Sequence, residues 1–222
     1  MAATRELGFR YFALLHHASL FQPKRSYVRI DNYPPAWADE LVATGLARID
    51  PIHQASRLAS TSFEWSELGR FMKLGRKQHF ILERSRYFGI GNGLTLPVHV
   101  PGEPAGSCSF AVAAGLELPR RRLACAELIG AHAFQAARRL MNFPRLGSPP
   151  HLSRREVQCL RLVAAGKTDW EIAVILGISV ETARQYLKHA RLAYHAVSRA
   201  QLVAFGLRDQ WLTFEDASEP CE

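Results

Sequence analysis

Residues 152–195 read LSRREVQCLRLVAAGKTDWEIAVILGISVETARQYLKHARLAYH. Two helix-start signals stand in this stretch, Ser153–Glu156 and Thr168–Glu171, each spaced to satisfy the orphan amides of a first turn. After the first, Val157, Leu160, Val163 and Ala164 recur at helical spacing until Gly166 stops the run. The second opens a short helix holding Ile172, Ala173 and Leu176. Gly177-Ile178-Ser179 then turns the chain, with Ser179 as N-cap of a third helix from Val180 to about His195. Val180, Ala183, Leu187, Ala190 and Tyr194 share one face of that helix, and Glu181, Arg184, Gln185 and Lys188 the other. Arg199–Trp211 adds a fourth amphipathic helix through Leu202, Val203, Phe205 and Leu207. Two helices, a tight turn and a helix with a basic outer face compose an all-α, four-helix helix-turn-helix unit. In such a unit Arg184 and Gln185 can reach guanine and adenine edges in a major groove, with Lys188 one turn further on. Lys167, Thr168 and Thr182 are the phosphate candidates, because lysines, hydroxyls and helix-start amides all favour phosphate. The same spacing fits equally a four-helix bundle whose charged face is merely solvated.

Working outward, the whole chain has 222 residues, 48% hydrophobic and 22% charged. That is ordinary globular composition, which excludes collagen-like, low-complexity and wholly disordered chains. No run approaches the ~18 apolar residues of a membrane helix. The start, MAATRELGFRYF, has no secretory pattern. Cys108, Cys125, Cys159 and Cys221 stand far apart, without metal-ligand or scaffold spacing, so reduced thiols in a cytoplasm are expected and no metal site. With 28 basic and 20 acidic residues the net charge is +8. All of the excess lies in residues 1–150, since 151–222 hold nine of each sign, four of the acids in the terminal tail. The balance is compatible with a nucleic-acid partner without locating one.

Phe143–Pro150 carries three prolines, a glycine and a serine in eight residues, which no helix continues through. It reads as a linker over 143–150, separating a domain at 1–142 from the helical one at 151–222. In the first domain, Gly8–Leu15, Ser26–Tyr33, Gly93–Val100 and Ser107–Ala113 have strand character, the last two joined by a turn at Pro101–Gly106. Helices are expected over Pro34–Arg48, Ser66–Phe88 and Cys125–Met141, the last burying Leu128, Ala131, Phe134, Ala137 and Leu140. Neighbouring strands flanked by helices make this an α+β domain with an antiparallel sheet covered by helices.

At this point two resemblances carry the reading further. Residues 152–212 resemble the C-terminal DNA-binding domain of LuxR-type transcription regulators. The matching pieces are Leu152-Ser-x-Arg-Glu156, Gly166-Lys-Thr168, Glu171-Ile-Ala-x-x-Leu-Gly-Ile-Ser179 and Arg199-x-Gln201. Ala183, Tyr186 and His189 replace that family's usual valine, histidine and asparagine, which puts the target sequence in doubt. Residues 7 to about 140 are similar to an N-acyl-homoserine lactone receptor domain. The similarity rests on NYPPAWADELVATGLARIDP at 32–51, Phe63-Glu64-Trp65 and Gly93-Leu-Thr-Leu-Pro97. Tyr33, Trp37, Asp50, Pro51, Trp65 and Gly93 fall at motif positions, and Ser109 at a hydroxyl position common among members. The resemblance implies an α/β/α-sandwich sensor, an acyl-homoserine lactone as effector rather than a cofactor, and homodimerisation on a symmetric double-stranded DNA site, with RNA polymerase as a further partner. The chemistry fits independently. The Trp37 indole suits a lactone carbonyl, the Asp50 carboxylate an amide N–H, and the Tyr33 and Ser109 hydroxyls an amide carbonyl, with Trp65 walling the ring. Leu41 stands where receptors usually place a second aromatic, so a roomier, apolar wall and altered chain selection are expected there.

Without the resemblance, the aromatics read as core and Asp50-Pro51 as an ordinary helix start. His16-His17-Ala18-Ser19 after the first strand lacks the acidic pair of a phosphoacceptor receiver. The histidines lack metal spacing and read as surface or packing residues, and Pro119–Arg122 reads as a solvated helix start. Ser107 and Ser109 form no nucleophile elbow. Three alternatives stay open: a receptor of the same fold for another small molecule, a ligand-independent DNA-binding protein, and an enzyme acting on a lactone or acyl amide. The enzyme would need an activated nucleophile or a metal, and neither is visible, so no catalytic residue is expected. Only six residues precede Leu7, too few for the helix that receptors of this kind carry there. The resemblance therefore implies a late-assigned start or a shortened protein.

Overall fold

The computed structural model describes residues 1–20, 27–141 and 149–218. The chain divides into two compact units, Met1–Pro144 and Arg145–Glu222. The linker expected at 143–150 lies, but for Pro149 and Pro150, outside the described residues.

In the first unit five strands form one sheet: β1 (Tyr11–His16), β2 (Arg29–Asp31), β3 (Phe63–Glu64), β4 (Ile90–Val98) and β5 (Gly106–Ala113). Their order is β2-β1-β5-β4-β3 and every neighbouring pair is antiparallel. β5 lies in the middle and is buried on both faces, so its sequence shows no alternation. One face, through Leu14, Leu94, Cys108, Phe110 and Val112, packs on α5 (Leu123–Leu140) at Ala126, Phe134 and Ala137. The other, through Tyr11, Ile90 and Ala111, packs on α2 (Pro35–Ala43), α3 (Pro51–Leu58) and α4 (Arg76–Tyr87). Helices on both faces of an antiparallel sheet make the expected α/β/α sandwich.

Several element expectations need correction. The helix expected over Pro34–Arg48 ends at Ala43, because Gly45 adopts a left-handed φ of 69° before a short 3-10 turn at Leu46–Ile49. That expected over Ser66–Phe88 breaks after a 3-10 turn at Trp65–Arg70, and α4 starts only at Arg76. In between, Phe71, Met72 and Leu74 pack into the core, and this tertiary packing overrides the helical spacing. On α5, Leu128 and Leu140 are 64% and 80% exposed. Ala131 is exposed as well, whereas Phe134 and Ala137 are buried as expected and are joined by Ala126 and Gly130, small residues that admit the sheet closely. A Cβ on Gly130 would lie 2.9 Å from Cys108 Sγ. The six residues before Leu7 do form a short helix, α1 (Ala2–Glu6), with Leu7 and Phe9 buried behind it.

His16 and His17 are packing residues, both fully buried. His16 Nδ1 accepts from the Val28 amide at 3.1 Å, and its Nε2 faces Glu103 at 3.3 Å. His17 is pushed down to a pKa of about 2, first by burial and then by neighbouring His53 and Arg57. The unfolded chain, with histidine near 6.5, binds that proton more readily. Stability is therefore full above about pH 6.5 and falls as the pH drops toward 2, by about 2 kcal/mol at pH 5 from this group alone. Urea unfolding at pH 7 and pH 5 checks it: the acid-side loss should be smaller in His17→Gln, and an equal loss in both proteins would contradict the assignment.

The second unit is helical: α6 (Arg154–Ala164), α7 (Asp169–Leu176), α8 (Val180–Ala193), α9 (Arg199–Arg208) and a last turn, α10 (Glu215–Ser218). Ser153 and Thr168 form the two expected capping boxes, Gly177 takes a left-handed φ of 64°, and Ser179 caps α8 by accepting from the Thr182 amide at 3.0 Å. Ala183, Leu187, Ala190 and Tyr194 of α8 are buried as expected. Among the described residues no helix is long and apolar enough to cross a membrane.

Candidate functional site

Between the sheet and α2, α3 and α4 lies a predominantly apolar cavity of about 60 Å³. Tyr33, Trp37, Leu41, Asp50, Trp65 and Ser109 all line it, so the fold brings together the six side chains singled out from the sequence. Trp37 and Leu41, one helical turn apart on α2, are both buried, and the Trp37 ring leans on Phe88 at 5.7 Å. Asp50 is the N-cap of α3: its Oδ1 accepts from the amides of Ile52 at 2.8 Å and His53 at 3.3 Å. The cap leaves Oδ2 unused, in a residue that is 5% exposed. Tyr33 follows β2 and packs on Tyr11 at 6.0 Å. Burial, then the Asp50 and Asp31 carboxylates, push its phenol well above the usual tyrosine range, so it remains a protonated donor at neutral pH.

Trp65 donates its indole N–H to Thr95 Oγ1 at 2.8 Å, and Thr95 Oγ1 lies 2.9 Å from Ser109 Oγ. Either hydroxyl of the Thr95–Ser109 pair can donate to the other; when Thr95 does, the Ser109 proton is left for an acceptor in the cavity. The bond to Thr95 uses up the Trp65 donor, so that ring offers only a wall. Gly93 stands directly behind it, where a Cβ would come within 2.6 Å of the indole and 2.7 Å of the Phe110 carbonyl. Gly93→Ala should therefore push Trp65 into the cavity. The expected cost is about 1–3 kcal/mol of stability together with loss of ligand-induced protection, read by chemical denaturation with and without ligand. Thr95, Arg29, Asp31, His53 and Ser85 were missed in the sequence. Thr95 could have been found, since it pairs with Ser109 across the β4–β5 hairpin.

In the second unit Arg184, Gln185 and Lys188 project from α8, all exposed, while Lys167 and Thr182 are half-buried. Arg184 Nε sits 3.4 Å from Asp169 Oδ2, and Arg199 Nη2 lies 3.0 Å from the same carboxylate's Oδ1. Gln185 Nε2 donates to Glu181 at 3.4 Å. The Thr168 hydroxyl donates to Glu171 Oε2 at 2.7 Å within the α7 cap, and Thr182 Oγ1 lies 2.8 Å from Ser179 Oγ, so both hydroxyls also serve local structure. Arg191 and Arg199, which the sequence reading overlooked, line one concave surface with Arg184 and Lys188. Spacing of three residues from Lys188 to Arg191 was the available signal. Ala183 is buried and Tyr186 half-buried, so those two departures from the family pattern face the core.

Comparison with known proteins places both units. Residues 2–139 match the autoinducer binding domain, and residues 150–205 match the bacterial regulatory proteins of the luxR family. The HTH-type transcriptional regulator y4qH of Sinorhizobium fredii is 28% identical over 173 residues, 78% of this chain and 53% of that protein. The chain thus spans about half the length of y4qH. The transcriptional activator AhyR of Aeromonas hydrophila is 29% identical over 213 residues, 92% of this chain and 80% of that protein. Among solved structures, Escherichia coli SdiA shares the fold with a TM-score of 0.60 at 24% identity, covering 95% of this chain and 87% of that one. The autoinducer-binding match alone spans more than half of the chain, and the luxR match covers the helix-turn-helix behind it. The chain belongs to the LuxR-type transcriptional regulators, a family of autoinducer-binding DNA-binding proteins and not of enzymes.

Proposed function

We propose that the effector is an N-acyl-homoserine lactone, and that the liganded protein acts in the cytoplasm as a homodimer on a two-fold symmetric promoter site. One observation carries the ligand reading. Two donors (the Tyr33 hydroxyl and the Trp37 indole), one carboxylate acceptor (Asp50) and one hydroxyl (Ser109) converge in a single apolar cavity. That set complements a lactone carbonyl, an amide N–H and an amide carbonyl, while Leu41, Ile81 and Leu82 offer an apolar wall to the chain. Trp37 donates to the lactone carbonyl, Asp50 accepts from the amide N–H through Oδ2, and Tyr33 and Ser109 donate to the amide carbonyl. Because Leu41 is smaller than an aromatic, bulkier or longer chains are tolerated. Exposed Leu128, Ile129 and Leu140 on the outer side of α5 support an apolar contact between two copies. In a dimer the two α8 helices would read half-sites about one helical turn of DNA apart, Arg184 and Gln185 at base edges and Lys167, Thr168, Thr182 and Lys188 toward the backbone.

Ligand that binds only the folded state stabilises it by mass action, which links signal level to active protein. Isothermal titration and thermal shift with lactones of graded chain length test the reading. Micromolar or tighter binding is expected for at least one chain length. Absence of binding throughout the series, with stabilisation by an unrelated metabolite, would replace it by a receptor for that other molecule.

A further inference from the structure

The face of α8 that carries Arg184 and Lys188 does not end with them. Arg191 and His195 continue it at spacings of three and four residues, and both line the concave surface that Arg184, Lys188 and Arg199 share. His195 stands there at a cost to the fold. It follows the last turn of α8 with a left-handed φ of 50°, and Gln210 is the only other non-glycine residue in that region among the described residues. At the ends of α6 and α7 the chain uses Gly166 and Gly177 instead. The helix end demands this conformation. The Ala196 amide donates to the Arg191 carbonyl at 2.8 Å and the His195 amide to the Leu192 carbonyl at 3.1 Å, the pair of bonds that closes a helix over a left-handed residue. Glycine or asparagine is the favoured residue at such a position, and other side chains are disfavoured there. Nothing inside the fold offsets the penalty, because the ring is exposed and, among the described residues, has no hydrogen-bond or ion-pair partner. Backbone strain of this kind gathers where a side chain is needed for function.

Arg191 has a structural reason for its place: its Nε donates to the Ala196 carbonyl at 3.4 Å, and a cation suits the negative end of a helix. His195 has none, so its reason lies outside the chain. Along the axis it stands about 16 Å beyond Arg184, at 1.5 Å per residue. A major groove is about 12 Å wide, so a helix that reads bases through Arg184 brings its far end to the phosphates that wall the groove. We propose that His195 donates an imidazole N–H to a backbone phosphate of the bound DNA, with Arg191 beside it on the same face, and so sets the depth and tilt of α8. This rests on the DNA-reading assignment of α8 above. An imidazole carries an N–H in every tautomer, and a charged phosphate oxygen is a strong acceptor for it. Contacts of this kind fix orientation on the duplex and read no sequence.

The test titrates full-length protein, by fluorescence anisotropy, against a promoter fragment captured by the wild type and against a scrambled copy of it. His195→Gly removes the ring and relieves the backbone, so its urea midpoint should rise. Its affinity for both duplexes should nevertheless fall about tenfold, as expected when a hydrogen bond to a charged group is lost. A residue with a merely structural role would move stability and affinity in the same direction. His195→Asn, which tolerates the left-handed region and keeps an N–H, should hold most of the affinity. Gln210→Gly is the control. Gln210 has a φ of 63° after α9 and does not line the concave surface, so its replacement should raise the midpoint and leave affinity unchanged. Wild-type affinity in His195→Gly, a loss confined to the captured fragment, or a lowered midpoint overturns the phosphate contact. Arg184→Ala, measured alongside, separates that failure from failure of the α8 assignment. Near-native binding by Arg184→Ala overturns both, whereas its loss together with wild-type binding by His195→Gly overturns the contact alone.

Discussion

Alanine at Arg184 and Lys188 together should abolish promoter binding while leaving ligand-induced thermal stabilisation unchanged. Both side chains project from α8, whose other face is buried through Ala183, Leu187 and Ala190, so the helical unit loses no core contact. The ion pairs given up are exposed ones, with Asp169 and Glu181, and Asp169 keeps its bond to Arg199. Such surface pairs contribute about 0–1 kcal/mol. A base-reading side chain is worth about 1–3 kcal/mol at each half-site, and a dimer uses it twice. Arg184→Ala alone is therefore expected to weaken binding about a hundredfold or more at fixed salt, since each 1.4 kcal/mol is tenfold. It should also relax sequence preference at one position in each half-site, whereas Lys188→Ala should weaken all sequences alike and flatten the salt dependence. Fluorescence anisotropy on a fragment captured by the wild type, read at several salt concentrations, separates the two. Retention of near-native affinity in the double variant would remove α8 from its assigned role.

The second large effect concerns Asp50, whose carboxylate caps α3 and, in the proposed reading, also takes the ligand amide. Asp50→Ala should lower lactone affinity by about 1–3 kcal/mol, because a buried amide N–H loses a charged acceptor. Independently it should lower the stability of the unliganded protein by about 1 kcal/mol, because the α3 cap through Oδ1 is lost. Asp50→Asn separates the tasks. Asparagine caps as well as aspartate but is a weaker, uncharged acceptor, so stability should stay near wild type while affinity still falls. Urea unfolding without ligand and calorimetry with it give the two numbers. An Asp50→Asn protein that binds lactone like the wild type would reduce Asp50 to a helix cap.

The helical unit could be read from sequence because its signals are local. Ser153–Glu156, Thr168–Glu171, Gly177 and Ser179 each act on their own turn, and the structure makes the hydrogen bonds those spacings call for. The sheet of the first unit was legible in outline, since Gly106–Ala113 and Ile90–Val98 are strand-like in composition. What escaped was decided by distant packing. The bend at Phe71–Gly75 exists because Phe71, Met72 and Leu74 fill the core beneath α3 and α4, which no local rule records. On α5 apolar spacing favoured large leucines, but close approach to the sheet required alanine and glycine. In the cavity, Tyr33, Trp37 and Asp50 were recognisable through their motif positions. Arg29 and His53 were not, because their place on the wall follows from strand register and from the phase of a helix that opens at Asp50. The composition of the motif also hid a steric reason: Gly93 is needed to make room for the Trp65 ring.

Asp169 sits against both Arg184 and Arg199, an acidic side chain in an otherwise cationic concavity. Its consequence lies in how the proposed DNA-reading surface would search a chromosome. Binding to arbitrary sequence depends almost wholly on attraction to phosphates, so one negative charge on that surface weakens every off-target encounter. At the cognate site the loss is offset, because Arg184 can exchange the carboxylate for a base edge and Arg199 still holds Asp169 in place. A chromosome offers about a million or more competing sites, and occupancy follows the ratio of cognate to arbitrary affinity rather than either alone. On that proposed surface the carboxylate would shorten each dwell on the wrong sequence, which would speed the scan and sharpen the choice.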